Sequence, residues 1–295
     1  MAAVTKRAAW LAAARPRTLL AALAPIAVGT AVARAEGAMR PGIAALALVT
    51  ALALQIAANF ANDLFDFEKG ADTEERRGPP RALQSGWLDA REMRAGIALA
   101  LGLASACGLG LVAAGGWPIA VAGVLSLAAA LAYTGGPWPL GYHGLGDACV
   151  FVFFGVVGVV GSDYVQSGAV SRLALAASLP VGWLVTAILV VNNLRDLDTD
   201  SRVGKRTLAV RMGPRATRAY YAALLALAFA VPVALAASGS ISRLALLPLV
   251  TLPLALRLTR EIRHATDGSS FNAALAGTAR LAALFALLFA AGIAA

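Results

Sequence analysis

Apolar residues occur along this chain in long blocks rather than in alternation with polar ones. The blocks fall near 18–34, 42–62, 95–114, 117–134, 146–162, 172–192, 218–237, 241–258 and 273–294. Runs of about 20 apolar residues match the length that an α-helix needs to cross a hydrocarbon core. A helix also satisfies its own backbone N–H and C=O groups, as lipid demands. The pattern predicts an all-α membrane protein of nine transmembrane helices, with residues 1–295 as one transmembrane domain. Pro25, Pro180, Pro232, Pro248 and Pro253 fall inside the blocks and predict kinks. The first block follows basic residues, as in a signal peptide. However, Arg15-Pro16-Arg17 interrupts it and no clear cleavage site follows, so it reads as a retained helix.

Composition supports this picture. The chain is 59% hydrophobic and 14% charged, against about 25% charged in soluble domains. The net charge of +9 raises the question of a nucleic-acid partner, and the placement of the cations answers it. With the N-terminus inside, 20 of the 25 Lys and Arg residues lie in loops on that face and 4 lie opposite. This is the bias of a multi-pass protein whose basic loops face the cytoplasm. It predicts no nucleic acid, the lipid bilayer as partner, and residence in the cell inner (cytoplasmic) membrane. Cys107 and Cys149 each sit inside an apolar run without paired-ligand spacing, so they suggest neither a disulfide framework nor zinc. Nothing in the sequence signals an oligomeric state.

The acids do not follow the charge-sorting rule. Eight of the 16 lie between Asp63 and Glu92, and three more are Asp196, Asp198 and Asp200. Both groups follow an apolar block on the same predicted face. In each, an Asn stands four residues before an Asp, which places Asn62 with Asp66, and Asn192 with Asp196 and Asp200, along single helical faces. Carboxylates gathered at a membrane boundary repel one another and lose hydration, which marks a functional site. Oxygen ligands suit Mg²⁺, which also keeps waters and phosphate oxygens. Lys69, Arg76, Arg77 and Arg81 accompany the first group; Arg195, Lys205, Arg206 and Arg211 accompany the second. Acids for metal beside cations for phosphate describe a diphosphate site. The competing reading is a pair of solvated loops whose charges pair internally.

A third stretch, "YTGGPWPLGYHGLGD" from Tyr133 to Asp147, joins the fourth and fifth blocks on the same face and has no Lys or Arg. Its glycines and prolines require a defined, tightly turned loop. That loop would cap the site, line an aromatic-substrate pocket, or simply turn. His143 reads as a loop residue with a local hydrogen bond.

At these three segments the sequence resembles the UbiA superfamily of intramembrane aromatic prenyltransferases, most like the branch that prenylates 1,4-dihydroxy-2-naphthoate. The segments are "NDLFDFEKGAD" with "RRGPPRALQSG", "GGPWPLGYHGLGD" with "VFFGVVGVVGSDYVQSG", and "NNLRDLDTDSRVGKRTLAVRMG". "RPRTL" resembles the family's opening helix, and Gly70 followed by Asp72 resembles the naphthoate branch. The resemblance implies nine helices around a central cavity in a UbiA-type fold, Mg²⁺ and a polyprenyl diphosphate donor. It implies Asn62 and Asp66 as metal ligands assisted by Asp63 or Asp72, and Asp196 and Asp200 at a second metal. Arg81, Lys205, Arg211 and Lys69 would grip the diphosphate. Tyr133, Tyr142, Asp147, Asn192 and Asn193 are candidates for the acceptor pocket. Asp66, Asp196, Asp200 and Lys205 would carry catalysis, with loss of CO2 and diphosphate to give demethylmenaquinone. A related enzyme acting on 4-hydroxybenzoate, homogentisate or haem shares the aspartates. A secondary transporter is the alternative from another class.

Overall fold

The computed structural model describes residues 4–71, 78–239 and 241–295, apart from the Arg17 side chain. Among these residues there are helices and connecting segments and no strands. The helices are α1 (Lys6–Ala14), α2 (Pro16–Ala35), α3 (Pro41–Glu68), α4 (Ala90–Gly115) and α5 (Trp117–Ala132). A 3₁₀ turn, Leu140–His143, leads into a composite rod: α6 (Gly146–Val150), a π-helical stretch Phe151–Val160, and α7 (Gly161–Ser167). Then come α8 (Arg172–Arg195), α9 (Leu197–Arg202), α10 (Leu208–Ala237), a 3₁₀ stretch Arg243–Thr251, α11 (Leu252–His264) and α12 (Gly268–Ala294).

Seven of these segments are long and apolar enough to cross a membrane: α2, α3, α4, the Gly146–Ser167 rod, α8, α10 and α12. The expected nine are reached only by adding α5, which has 16 residues, and the 241–258 block. That block is not one α-helix. Pro248 removes a backbone donor from its centre, and the chain winds as 3₁₀ until Pro253 enters the first turn of α11, where proline is tolerated. The 218–237 block begins earlier than hydropathy indicated, at Leu208, with a break at Gly213 (φ 77°, ψ 168°) before Pro214. The arm before Arg15 forms its own short helix, which the apolar pattern did not reveal.

The core falls into three packed regions, two large and one small around Ile26, Ala47, Leu111 and Val165. One large region joins α2, α8, α10, α11 and α12; the other joins α1, α3, α4 and the 78–88 segment. Lipid supplies no hydrophobic drive between helices, so close packing and internal hydrogen bonds hold them. Phe285 meets Phe229 edge to face at 5.2 Å, and the Tyr221 and Thr278 hydroxyls share a 2.9 Å bond between α10 and α12. At Gly155 the π-wound stretch crosses α8 so closely that a Cβ would lie 2.9 Å from the Gly182 Cα.

Three of the five described acids of the first group serve this scaffold. Asp89 and Glu92 form the capping box of α4, Lys6 binds Glu92 at 2.6 Å, and Arg94 binds Glu68 at 2.5 Å. These three acids fit the bland reading of solvated, internally paired loops. The remaining described acids of the group, Asp63 and Asp66, do not.

Candidate active site

The last turn of α3 carries Asn62, Asp63 and Asp66, and the i, i+4 spacing does place Asn62 and Asp66 on one side of it. Asp63 and Asp66 are both buried. The chain returns over this helix end through Arg81, whose Nη2 lies 3.1 Å from Asp66 Oδ2 and whose Nη1 lies 3.9 Å from Asp63 Oδ1. The Ala82 N–H donates to Asp63 Oδ2 at 3.2 Å. Asn62 Oδ1 accepts from the Thr134 hydroxyl at 2.8 Å. A buried acid is costly without such partners.

The second set is arranged differently from expectation. Asn192, Asp196 and Asp200 do not share one continuous helix, because α8 ends at Arg195 and Asp196 takes φ −93°, ψ 7° before α9 begins. The i→i+4 bonds from Asp196 N to Asn192 O and from Asp200 N to Asp196 O survive the break. Arg195 causes the local arrangement: its Nε and Nη2 hold the two Asp196 oxygens at 2.8 and 2.6 Å. Its other contacts reach Asn192 Oδ1 at 2.9 Å and Asn272 Oδ1 on α12 at 2.8 Å.

Lys205 joins the two sets. Its Nζ lies 3.6 Å from Asp200 Oδ1, and burial works against its charge, but Asp66 and Asp200 outweigh burial and raise its pKa. Burial pushes the Asp200 carboxyl up to about 6 against the pull of Lys205. Asp200 Oδ2 is buried with no hydrogen-bond partner among the described residues. Tyr142 closes the site from the 3₁₀ turn: its hydroxyl donates to Asp66 Oδ1 at 2.8 Å. Its ring centre lies 4.8 Å from Lys69 Nζ and 5.2 Å from Lys205 Nζ. The turn is tied to the second set, since Arg206 N donates to Tyr142 O at 2.9 Å and Arg211 Nη2 donates to His143 O at 2.8 Å. The 133–147 segment is therefore a cap over the acids. His143 Nδ1 contacts the Pro139 carbonyl at 2.9 Å, as a structural loop residue would.

Beneath this rim lies a cavity of about 640 Å³. Asn62, Asp63, Asp66, Arg81, Lys205, Asn192, Asn193 and Tyr133 line it, and its deeper walls are small or apolar, including Ala21, Ala22, Ile26, Phe153 and Phe154. Several expected residues do not line it. Arg211 contributes its guanidinium to the carbonyls of His143 and Arg206, so it positions the cap rather than facing the cavity. Lys69 is exposed and donates to the Thr134 carbonyl at 2.5 Å; burial lowers its pKa, more than Asp66 raises it. Asp147 is buried at the start of α6, outside the cavity wall. Asp72 lies outside the described residues.

Arg15 and Asn272 line the wall without having been singled out in the sequence, and Arg195, read there only as a cation beside the second acidic group, lines it too. Arg15 alone among the described non-glycine residues has positive φ, at 50°, a conformation that concentrates at functional positions. Asn59 fixes that joint by donating to Ala14 O and the Thr18 hydroxyl, each at 2.9 Å. The Arg15-Pro16 pair was a signal for the turn but not for the direction of the side chain.

The donor set fits a hard divalent cation. Asn62, Asp66, Asp196 and Asp200 offer oxygens only, and Asp200 Oδ2 is a buried acceptor with no donor among the described residues. Among the described residues no three His, Cys, Asp or Glu side chains gather tightly enough to hold a metal by themselves, because Arg81, Arg195 and Lys205 stand among the acids.

Comparison with known proteins yields a consistent picture. The model of the UbiA prenyltransferase family matches residues 22–280. A relative from Escherichia coli (strain K12), named 1,4-dihydroxy-2-naphthoate octaprenyltransferase, is 39% identical over 98% of this chain and 96% of its own length. A protein of the same name from Mycobacterium tuberculosis is 39% identical, covering 97% of each chain. Among solved structures, an apo UbiA homolog from Aeropyrum pernix K1 superposes with TM-score 0.71 at 18% identity, over 95% of this chain and 98% of that one. A UbiA homolog from Archaeoglobus fulgidus, bound to DMAPP and Mg²⁺, gives TM-score 0.66 at 19% identity over 97% and 99%.

Proposed function

The chain belongs to the UbiA prenyltransferase family, and from that premise we propose that it transfers a polyprenyl group from polyprenyl diphosphate to 1,4-dihydroxy-2-naphthoate. The support for the acceptor is the shared name of relatives that match nearly the whole chain at 36–39% identity. The support for the chemistry is one observation: Lys205 couples to Asp66 and to Asp200 at the mouth of an apolar cavity. Asp66 lines that cavity together with Lys205 and Arg195, and these two cations hold Asp200 and Asp196 beside its wall.

Asn62, Asp66, Asp196 and Asp200 would hold Mg²⁺, with Asp63 in support through Arg81. When bound, Mg²⁺ neutralises diphosphate oxygens and stabilises the charge that develops as they depart. Lys205 and Arg81, with Arg15 from the α1–α2 joint, present cations to the same diphosphate. The isoprenoid tail needs no polar recognition, which suits walls of alanine and aromatic carbon. The same walls exclude water from the allylic cation left when the C1–O bond breaks. Tyr133, Asn192 and Asn193 line the place where an aromatic acceptor would meet that carbon. The electron-rich ring forms the new C–C bond and loses CO2 and diphosphate leaves, giving a prenylated dihydroxynaphthalene, the reduced form of demethylmenaquinone. The chain's main contributions are orientation and charge stabilisation. In the same reading the acid-bearing rim faces the cytoplasm from the inner membrane, as the distribution of cations favours.

The test uses membranes containing the protein, a radiolabelled polyprenyl diphosphate and Mg²⁺, with 1,4-dihydroxy-2-naphthoate, 4-hydroxybenzoate and homogentisate offered separately. Label should enter the naphthoate alone. Preferential labelling of another acceptor would overturn the acceptor assignment. Near-normal transfer in Asp66→Ala or Asp196→Ala protein that still inserts would overturn the metal–diphosphate account.

A further inference from the structure

A second cavity lies away from the acids, between α10 and α11. Its volume is about 340 Å³, and its wall is formed by Arg215, Arg218, Ala219, Ala222, Thr259 and Arg263. We propose that this cleft binds the phosphodiester of an anionic membrane phospholipid, with an acyl chain laid along the helix faces below it.

The sequence pattern of the two helices carries the argument. On α10, Arg215, Ala219, Ala222 and Ala226 follow one another at i, i+4, i+7 and i+11, which is a single helical face. On α11, Leu252, Leu256, Thr259 and Arg263 repeat the same spacing in the opposite chain direction. Arg215 and Arg218 of α10 meet Arg263 and the C-terminal end of α11, so both faces change from apolar to basic toward the same end, α11 through Thr259. That end is the rim of the acid-bearing site, because α10 begins there beside Arg206 and the cap. Leu252 and Leu256 are 38% and 51% exposed. A soluble phosphate has no use for that apolar continuation, whereas a lipid tail does.

The charge is uncompensated. Arg218 donates through Nε and Nη2 to the carbonyls of Ile262 and Ala265, at 3.0 and 2.9 Å, which closes the C-terminal end of α11; among the described residues no acid pairs with it. The acid within α11, Glu261, is already bound to Arg257 at 2.7 Å. Arg215 and Arg263 are exposed and lie outside the ion pairs of the described residues. Three guanidiniums around one cleft suit a phosphate oxygen pair. They also repel the ammonium of a zwitterionic headgroup, so the preference is for a lipid of net negative charge. Basic pockets between membrane helices take such headgroups.

The experiment places the full-length protein in nanodiscs of equal phosphatidylglycerol and phosphatidylcholine and counts retained lipids by native mass spectrometry. One phosphatidylglycerol should be retained about tenfold over phosphatidylcholine, and Arg215→Gln/Arg263→Gln should remove that preference. Arg91→Gln, an exposed arginine elsewhere, should leave it intact. The single variant Arg263→Glu, at an exposed helix end, should lose the lipid even if the double variant folds poorly. Equal retention in the variants, or no preference between the two lipids, would overturn the proposal. Displacement of the lipid by millimolar inorganic phosphate would mark a soluble-anion site and overturn it as well.

Discussion

The Tyr142 hydroxyl donates a 2.8 Å hydrogen bond to Asp66 Oδ1, across 76 positions of sequence. A hydrogen bond to a charged acceptor is worth about 1.5–3 kcal/mol, and each 1.36 kcal/mol is about tenfold in rate. Tyr142→Phe should lower kcat/KM roughly tenfold with the protein otherwise intact. Tyr142→Ala should lower it further, because it also removes the ring beside Lys69 and Lys205. Prenyl transfer in membranes reads both, and an unchanged Phe variant would mean that the hydroxyl is idle.

Lys205→Met should be inactive and also unstable. It leaves Asp200 buried without its ion-pair partner and takes from Asp66 one of the cations beside it, a loss of about 3–5 kcal/mol when one partner of a buried pair is removed. Pairing it with Asp200→Asn should restore much of the melting temperature in detergent but none of the activity. Recovery of both would show that Lys205 acts only in folding.

The Asp200 carboxyl, pushed up to about 6 by burial, should make Mg²⁺ binding depend on pH. The unfolded group titrates near 3.9, so the metal-free fold favours the protonated form. That favourable term is full below the unfolded value and is lost as pH rises through about 6. Magnesium needs the carboxylate and competes with this proton. Thermal stabilisation by Mg²⁺ should therefore be larger at pH 7.5 than at pH 5, and Asp200→Asn should flatten the difference. Melting curves with and without Mg²⁺ at both pH values decide the matter.

Gly155→Ala should destabilise by about 1–3 kcal/mol, the usual cost of overpacking, because its Cβ would meet the Gly182 Cα at 2.9 Å. Gly102→Ala, with open space around it, should stabilise slightly, by about 0.4–1 kcal/mol. Melting points of the two variants in one detergent should move in opposite directions.

The apolar blocks made the long helices legible, since spanning length and composition are nearly the same constraint. Breaks within helices were less so. Proline marked the 3₁₀ stretch at Pro248, but Asp196 ends α8 through a contact with its own neighbour Arg195 that no periodicity expresses. Among the candidate residues, the shared face of Asn62 and Asp66 was readable because i, i+4 spacing holds on one helix. Arg211 was expected at the diphosphate because a basic residue near the acids reads as a phosphate ligand, whereas its hydrogen bonds go to the carbonyls of His143 and Arg206. Asn272 was invisible: it arrives from α12, 80 positions from Asn192, and only the fold brings it to Arg195.

The bonds from Arg206 and Arg211 to the Tyr142–His143 backbone have a mechanical consequence. Tyr142 grips the first acid set with its side chain and the second with its main chain. Any swing that frees the Arg206 strap also withdraws the hydroxyl from Asp66. The one residue thus spans both acid-bearing halves of the rim, and a load on its backbone is shared with its hydroxyl.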